Sequence, residues 1–324
     1  MLLRQRIINA YLADRAIYAS IGTGIYASVD EGETFRMLRD FQGAAHGLRC
    51  VFVARHGNVF VSPSGPALAD TEKGLWRSPD EGANWERVLD LSGHENPVAV
   101  WGLDEDADGR LFAGVYTLAP QASVPVIYRS CDGGEHWEVS YAGASGRHVH
   151  AVVVDQWSGL VYASIGDDFG IWKTRRIIRS SDHGDSWVEI LAELPQVAPI
   201  LVTPSARLFG SDYPGMTRIY RTTDDSHHQL VLSEDETLYF FWMRRDQARG
   251  ELLASAICAD ATARQAKIFR SVDDGRSWHL WRVFEASAKG DGSAFASNVS
   301  RSRLMLQVQT GGMLQNALIL DLKR

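Results

Sequence analysis

The sequence predicts an all-β fold made of repeated four-stranded antiparallel units. Three observations predict it: a short polar phrase that returns six times, a nearly constant spacing between its copies, and strand-length runs of β-branched and aromatic residues around each copy. Together they indicate supersecondary units repeated along the chain rather than several unrelated domains.

The repeated phrase begins with Ser or Thr, has Asp at its third position and Gly at its fifth, and ends on an aromatic residue. Its copies occupy 28–35, 78–85, 130–137, 180–187 and 271–278, with a degenerate copy at 222–229. The Asp can accept hydrogen bonds from backbone N–H groups ahead of it, and the Gly can adopt the positive φ that closes a turn. We therefore expect hairpin turns in which five aspartates are structural: Asp30, Asp80, Asp132, Asp182 and Asp273.

The spacing of the phrase predicts the architecture. Its first residues lie at 28, 78, 130, 180, 222 and 271, which are steps of 50, 52, 50, 42 and 49 residues. Four-stranded sheets repeated radially close on themselves as a β-propeller. A seventh unit follows the last phrase with strands at 295–299, 304–309 and 317–320, and Met1–Arg4 is the candidate for its fourth strand. The prediction is a seven-bladed β-propeller in one domain, residues 1–324, with six blades as the alternative.

The phrases resemble the Asp box, or BNR repeat, of sialidase-like β-propellers. The resemblance implies a carbohydrate-active protein, because such propellers include sialidases, other glycosidases and polysaccharide lyases, although others are non-catalytic scaffolds. Sialidases of this superfamily bind the substrate carboxylate with three Arg residues and carry an Arg-Ile-Pro motif near the N-terminus. The corresponding place here reads Arg6-Ile7-Ile8-Asn9, without Pro, so a sialidase proper is not expected.

Composition and charge limit which binding partners and which cellular compartment are expected. The net charge is −7 and the chain has no basic tract, which argues against nucleic acid. No apolar run is long enough to span a membrane, and no apolar segment of a signal peptide follows Met1, so a soluble cytoplasmic protein is predicted. Cys50, Cys131 and Cys258 form no CxxC pair and are expected to be buried free thiols.

The most polar constellation outside the repeated phrases lies in the fourth unit. The phrases join third and fourth strands, so a ligand site is expected at the opposite end, among the loops that enter the first strand and leave the second. There the chain reads Arg147-His148-Val149-His150 and, after the second strand, Asp167-Asp168. Alternating strand geometry places His148 and His150 on one face. All five polar residues are catalytic candidates, and His148, His150 and Asp167 are candidate ligands for a divalent metal.

Loops at the same ends of other units add substrate-binding candidates. These are His46, Glu95, Tyr116, Asp212 and Tyr213. Carboxylate, phenol and imidazole groups around one pocket suit the recognition of sugar hydroxyls. The acidic stretch 104–109 is predicted to be a solvated turn, with calcium binding as the alternative.

The predicted function is binding of a saccharide at the channel mouth and its cleavage by a glycosidase or polysaccharide lyase reaction. In a lyase, His148 or His150 would remove a proton and Arg147 would neutralise the substrate carboxylate. A non-catalytic scaffold that binds a protein or a glycan is the alternative. The sequence leaves the sugar, the metal and the oligomeric state open.

Overall fold

The computed structural model describes most of the chain. The described residues are 2–3, 7–94, 98–117, 124–144, 146–167, 175–213, 217–235, 238–258, 265–285, 293–300, 303–310 and 313–321. Two site candidates, Glu95 and Asp168, lie outside these ranges. No helix occurs in the described ranges. Those ranges therefore contain no helix that is long and apolar enough to cross a bilayer. The all-β prediction is confirmed.

The chain divides into two compact units. The central unit is Ala16–Ile190, and the terminal unit combines Met1–Arg15 with Leu191–Arg324. The strands of the central unit are β3 (Ile17–Ile21), β4 (Gly24–Ser28), β5 (Arg36–Asp40), β6 (Leu48–Val53), β7 (Val59–Pro63), β8 (Gly74–Ser78), β9 (Glu86–Asp90), β10 (Val98–Glu105), β11 (Leu111–Thr117), β12 (Val126–Ser130), β13 (Glu138–Ala142), β14 (His148–Val154), β15 (Val161–Gly166), β16 (Arg176–Ser180) and β17 (Val188–Ile190).

The terminal unit contains the remaining strands. They are β1 (Leu2–Leu3), β2 (Ile7–Leu12), β18 (Val197–Val202), β19 (Arg207–Ser211), β20 (Thr217–Thr222), β21 (Gln229–Glu234), β22 (Leu238–Arg245), β23 (Leu252–Cys258), β24 (Gln265–Ser271), β25 (His279–Glu285), β26 (Ser293–Ser300), β27 (Arg303–Thr310) and β28 (Met313–Asp321).

These strands form four-stranded sheets with the simplest antiparallel order. Six sheets run β2-β3-β4-β5, β6-β7-β8-β9, β10-β11-β12-β13, β14-β15-β16-β17, β18-β19-β20-β21 and β22-β23-β24-β25. A further sheet of the terminal unit has the order β1-β28-β27-β26. Its fourth strand comes from the N-terminus, where Leu2 pairs with Leu318 and Leu3 with Ala317. This repeated four-stranded pattern is consistent with a β-propeller.

Burial within a sheet falls from the early strands to the fourth. In the second sheet every residue of β7 and of β8 is buried, whereas β9 exposes both of its end residues. Because apolar surface removed from water stabilises the fold by about 25 cal/mol per Å², the early strands carry most of the core. Fully buried aromatic residues recur on the second strands of the sheets, as Phe60, Phe112, Tyr162 and Phe209 do.

The repeated turns share one hydrogen-bond network, seen clearly in the second copy. Ser78 Oγ donates to Asp80 Oδ1 at 2.9 Å and accepts the N–H of Gly82 at 2.8 Å. The backbone N–H and side-chain amide of Asn84 donate to the two oxygens of Asp80, at 2.8 and 2.7 Å. These bonds stabilise the carboxylate and lower the pKa of Asp80. The aspartate therefore holds a turn together rather than facing a ligand.

In four of the repeated turns, both the backbone conformation and the available space require glycine. Gly134 has a φ of +88°, and a Cβ added to it would lie 2.5 Å from the ring of Phe60, which belongs to the preceding sheet. The equivalent glycines meet a side chain of the preceding sheet in the same way: Gly82 meets Leu38, Gly184 meets Phe112 and Gly275 meets Leu208. The turns thus pack directly onto neighbouring sheets, and any side chain would collide there.

An arginine immediately before the repeated turn connects successive turns. Arg77 donates to the carbonyl of Gly133 and to Glu135, both at 3.3 Å. In the terminal unit, Arg221 Nε donates to the carbonyl of Asp274 at 3.0 Å, and Arg221 Nη2 pairs with the Asp274 carboxylate at 3.0 Å. These links add polar contacts to the apolar packing between sheets.

One expectation about the cysteines was wrong. Cys50 is a buried free thiol whose pKa burial raises to about 12, but Cys131 is exposed. Cys131 lies at the second position of a repeated turn, where its side chain is not needed for the hydrogen-bond network. The side chain of Cys258 lies outside the described part of the structure.

Candidate functional site

The first strands of three central sheets are interrupted by β-bulges at corresponding places. The register shifts between Leu48 and Cys50 in β6, between Val100 and Gly102 in β10, and between Val149 and Ala151 in β14. The residues at the three bulges are Arg49, Trp101 and His150. A bulge re-aims a side chain that regular alternation would point elsewhere, and bulges are frequent beside active sites.

These bulges help to build a stack of flat side chains. The guanidinium of Arg49 lies 5.0 Å from the ring centre of Trp101, which lies 4.5 Å from that of Tyr116. Tyr116 in turn stacks on His148, with ring centres 3.8 Å apart and planes at 25°. Cation–π attraction and aromatic stacking each contribute about 0.5–1.5 kcal/mol, so the stack is a preorganised element. Tyr116 and His148 come from neighbouring sheets, and the stack joins them.

One end of the stack adjoins His46. Burial and the positive charge of Arg49 lower the pKa of His46, so its imidazole is neutral near pH 7. Its Nδ1 is buried and has no hydrogen-bond partner among the described residues. Burial also lowers the pKa of Arg49, an effect opposed by the nearby Tyr116. A neutral imidazole, a phenol and a guanidinium are therefore held close together here.

The other end of the stack leads into three converging side chains. His148 Nδ1–H donates to the carbonyl of Thr117 at 2.7 Å, which leaves His148 Nε2 with a lone pair. That lone pair faces His150 Nε2 at 2.8 Å. The Asp167 carboxylate lies 3.5 Å from His148 Nε2 and 3.2 Å from His150 Nε2. Arg147 Nη1 donates to Asp167 Oδ2 at 2.9 Å from the outer side.

Burial dominates the electrostatics of this cluster. His148 has no exposed side-chain surface, His150 exposes 7% and Asp167 exposes 23%. Burial, with the adjacent His150, lowers the pKa of His148 far below its usual value, so the ring is neutral. Burial alone would raise the pKa of Asp167, but its hydrogen bond with His150 and the neighbouring Arg147 lower it below the usual range. Asp167 is therefore ionised.

We name this assembly the polar row. It comprises His46, Arg49, Trp101, Tyr116, Arg147, His148, His150 and Asp167, all of the central unit. Six of the sequence-predicted candidates belong to it, and their geometry limits their roles. His148 in particular is enclosed, with both ring nitrogens engaged, so it cannot itself touch a saccharide.

The remaining candidates lie elsewhere. Asp212 accepts a hydrogen bond from Gln196 at 3.2 Å, and Tyr213 is 38% exposed, both in the terminal unit. Glu95 and Asp168 are outside the described residues. Sequence reasoning missed Arg49 and Trp101. A comparison of the first strands could have found them, because Leu48-Arg49-Cys50, Val100-Trp101-Gly102 and Val149-His150-Ala151 align. Each tripeptide has a large polar or aromatic residue at its centre.

The acidic turn at 104–109 is paired with the arginine that follows it. Arg110 Nη1 pairs with Asp106 at 2.9 Å and with Asp108 at 2.7 Å, and it contacts His183 Nδ1 at 3.1 Å. Asp106 Oδ1 accepts two backbone N–H groups, from Asp108 and Arg110. The arginine thus partly neutralises the carboxylates that a calcium ion would use as ligands.

No protein-family model matches the chain, and no curated protein does so either. Solved structures match nearly its whole length. A GH74 enzyme of Niastella koreensis has a TM-score of 0.66 at 13% identity, covering 97% of this chain and 58% of that one. An ancestral GH74 enzyme has a TM-score of 0.65 at 14% identity, covering 97% and 45%. This chain therefore spans about half the length of these two enzymes.

Two further structures extend the comparison. A Hadza microbial sialidase has a TM-score of 0.56 at 14% identity, covering 99% of this chain and 66% of that one. A chain of a nidogen/laminin complex has a TM-score of 0.53 at 12% identity, covering 84% and 89%. These likenesses support a β-propeller fold for this chain. At these identities the likeness concerns the fold alone, and the same architecture serves enzymes and a protein complex.

Proposed function

We propose that the chain binds an acidic, uronic-acid-containing saccharide at the polar row and cleaves it by elimination. In this proposal residues 1–324 are one domain, its seven four-stranded sheets are the blades of one propeller, and the repeated turns are Asp boxes. The observation that carries the proposal is the chemistry of the row: it holds two arginines, a phenol and three imidazoles, but a single carboxylate, which Arg147 and His150 already engage.

That composition favours elimination over hydrolysis. Glycosidases generally use two carboxyl groups, one on each side of the scissile bond. Asp167 is the one carboxylate among the described residues of the row, and it is held in place by Arg147 and His150. Elimination needs a different set: positive charge on the substrate carboxylate, a base and an acid. The row offers these groups.

The reaction assigns each group a task. A base removes the proton from the carbon next to the carboxylate, whose developing negative charge is stabilised by Arg49, the arginine beside His46 and Tyr116. The electron pair forms a carbon–carbon double bond, the bond to the bridging oxygen breaks, and an acid protonates that oxygen. Tyr116 and the neutral His46 are the proton-transfer groups, because His148 is enclosed. Stacking on Trp101 and His148 fixes the ring of Tyr116.

The test is turnover of a panel of uronic-acid polysaccharides and neutral controls, followed by the ultraviolet absorbance of the new double bond conjugated to the carboxylate. Acidic substrates should give this absorbance and neutral ones should not. Arg49→Gln should lower kcat/KM about 100-fold or more. Arg36→Gln, which changes an exposed arginine of β5, should match the parent protein.

The other outcomes decide between alternatives. Reducing ends without the double-bond absorbance would show hydrolysis and overturn elimination. Binding of acidic oligosaccharides without any product would overturn cleavage and favour the alternative, a non-catalytic scaffold. Neither binding nor turnover with any acidic saccharide would overturn the proposal as a whole.

A further inference from the structure

The three converging atoms beside the stack have the arrangement of a metal site. We infer that His148 Nε2, His150 Nε2 and Asp167 bind one divalent transition-metal ion, with Zn²⁺ as the first candidate. The inference stands on the geometry of these residues and does not depend on the identity of the saccharide.

The distances between the atoms fit such an ion. Nitrogen and oxygen ligands held about 2.0–2.1 Å from Zn²⁺ in a tetrahedron lie about 3.3–3.4 Å from one another. The separations here are 2.8 Å between the two imidazole nitrogens, and 3.5 and 3.2 Å from these nitrogens to the carboxylate oxygens. An ion at the centre requires only that the two imidazoles separate slightly.

The surroundings of the ligands also fit. A metal-bound histidine almost always donates its other ring N–H to a carbonyl or carboxylate, which fixes the tautomer and the ring direction. His148 does so through its hydrogen bond to Thr117, at 2.7 Å. The Asp167 carboxylate is held by Arg147 in the same manner, at 2.9 Å. Stacking of Tyr116 on His148 restrains the same imidazole further.

The ligand set selects the class of metal. Two imidazoles and one carboxylate suit Zn²⁺, Mn²⁺, Fe²⁺, Co²⁺ or Ni²⁺, whereas Ca²⁺ and Mg²⁺ prefer oxygen ligands. Three protein ligands leave at least one position of the ion open, as catalytic rather than structural zinc sites do. Since His148 is enclosed and Asp167 is 23% exposed, the opening lies on the Asp167 side.

The charge around the ion specifies what would fill the open position. The ion brings two positive charges and Arg147 one, against the single negative charge of Asp167. This excess of positive charge favours an anionic ligand, either hydroxide or the carboxylate of a substrate. The metal site and the proposed acidic saccharide are therefore electrostatically compatible, although each can be tested alone.

The experiment uses the full chain, stripped with a chelator and then titrated with ZnCl₂, CoCl₂, MnCl₂ or NiCl₂ by calorimetry. Stoichiometric binding is expected, with a rise in the thermal midpoint and a visible Co²⁺ spectrum typical of nitrogen and oxygen ligands. His150→Gln and Asp167→Asn, which preserve size, should abolish tight binding while circular dichroism stays unchanged. Arg147→Ala should weaken binding about 10–100-fold.

His56→Ala provides the matched control, because His56 is an exposed histidine of the same unit. It should bind metal as the parent does. The inference is overturned if none of the four ions binds the stripped chain, or if His150→Gln and Asp167→Asn bind as tightly as His56→Ala. Metal binding without turnover would leave the inference standing and remove the proposed elimination. Turnover by a chain that binds none of the four ions would do the reverse.

Discussion

Arg129 joins two successive repeated turns through Asp185. Its Nη1 donates to Asp185 Oδ1 at 2.6 Å and to the carbonyl of His183 at 2.7 Å. Its Nε and Nη2 donate to Glu138 on the adjacent strand, at 3.0 and 2.5 Å. One guanidinium thus ties a turn, its own sheet and the following turn together. Since Asp185 and Glu138 are largely exposed, each ion pair is expected to contribute no more than about 1 kcal/mol.

Arg129→Ala should therefore lower the free energy of unfolding by about 0.5–1.5 kcal/mol, because it removes the hydrogen bond to the His183 carbonyl and the two exposed ion pairs. Arg129→Lys should recover only part of this, since an ammonium cannot donate in several fixed directions at once. Urea denaturation followed by tryptophan fluorescence measures both. Arg36→Ala is the control, and an Arg129→Ala protein as stable as this control would refute the role.

Gly134→Ala should be more destabilising than an ordinary glycine substitution at positive φ. The matched position is Gly57, whose φ is +91° against +88° for Gly134, and whose added Cβ would have no heavy atom within 4 Å. Gly57→Ala should lose about 1–2 kcal/mol from backbone strain alone. Gly134→Ala should lose a further ~1–3 kcal/mol, because Phe60 must move out of a close-packed core. Thermal and urea denaturation measure the free energy of unfolding of both variants. Equal losses of this free energy would show that a side chain at position 134 does not clash with Phe60.

The repeated turns should make the protein sensitive to acid. Hydrogen bonds from Ser186 lower the pKa of Asp182 from 3.8 to about 2. A carboxylate with a lowered folded-state pKa contributes stability that is complete above its unfolded-state value and is lost as the pH falls through the folded value. Stability should therefore decline between about pH 4 and pH 2. Asp182→Asn should flatten this decline, whereas Glu189→Gln, at an exposed position of β17, should leave it unchanged. Identical acid profiles for the two variants would contradict this assignment.

The turns and the polar row differ in how far the sequence could predict them. A repeated turn needs Ser, Asp, Gly and an aromatic residue within eight positions, so its chemistry is local and visible in the sequence. His148 and His150 were found because two histidines two positions apart, followed by a pair of aspartates after the next strand, stand out in the sequence. Arg49 and Trp101 stand alone in their strands, and their directions, like that of His150, depend on β-bulges, which arise from pairing with a second strand. The enclosure of His148 depends on Tyr116, which comes from another sheet and lies 32 positions earlier.

Tyr116→Phe should separate the metal site from the proposed reaction. The phenylalanine ring keeps the stacking on His148, whose centre lies 3.8 Å away, and on Trp101 at 4.5 Å. Metal affinity should therefore remain within experimental error of the parent. Turnover of an acidic saccharide should fall about 10²–10⁴-fold, because the hydroxyl that transfers a proton is gone, with kcat affected more than KM. Tyr26→Phe, on β4, is the control for loss of a phenolic hydroxyl away from the row. If Tyr116→Phe kept full kcat, proton transfer would have to be assigned to His46, and His46→Gln would then be the variant that loses turnover.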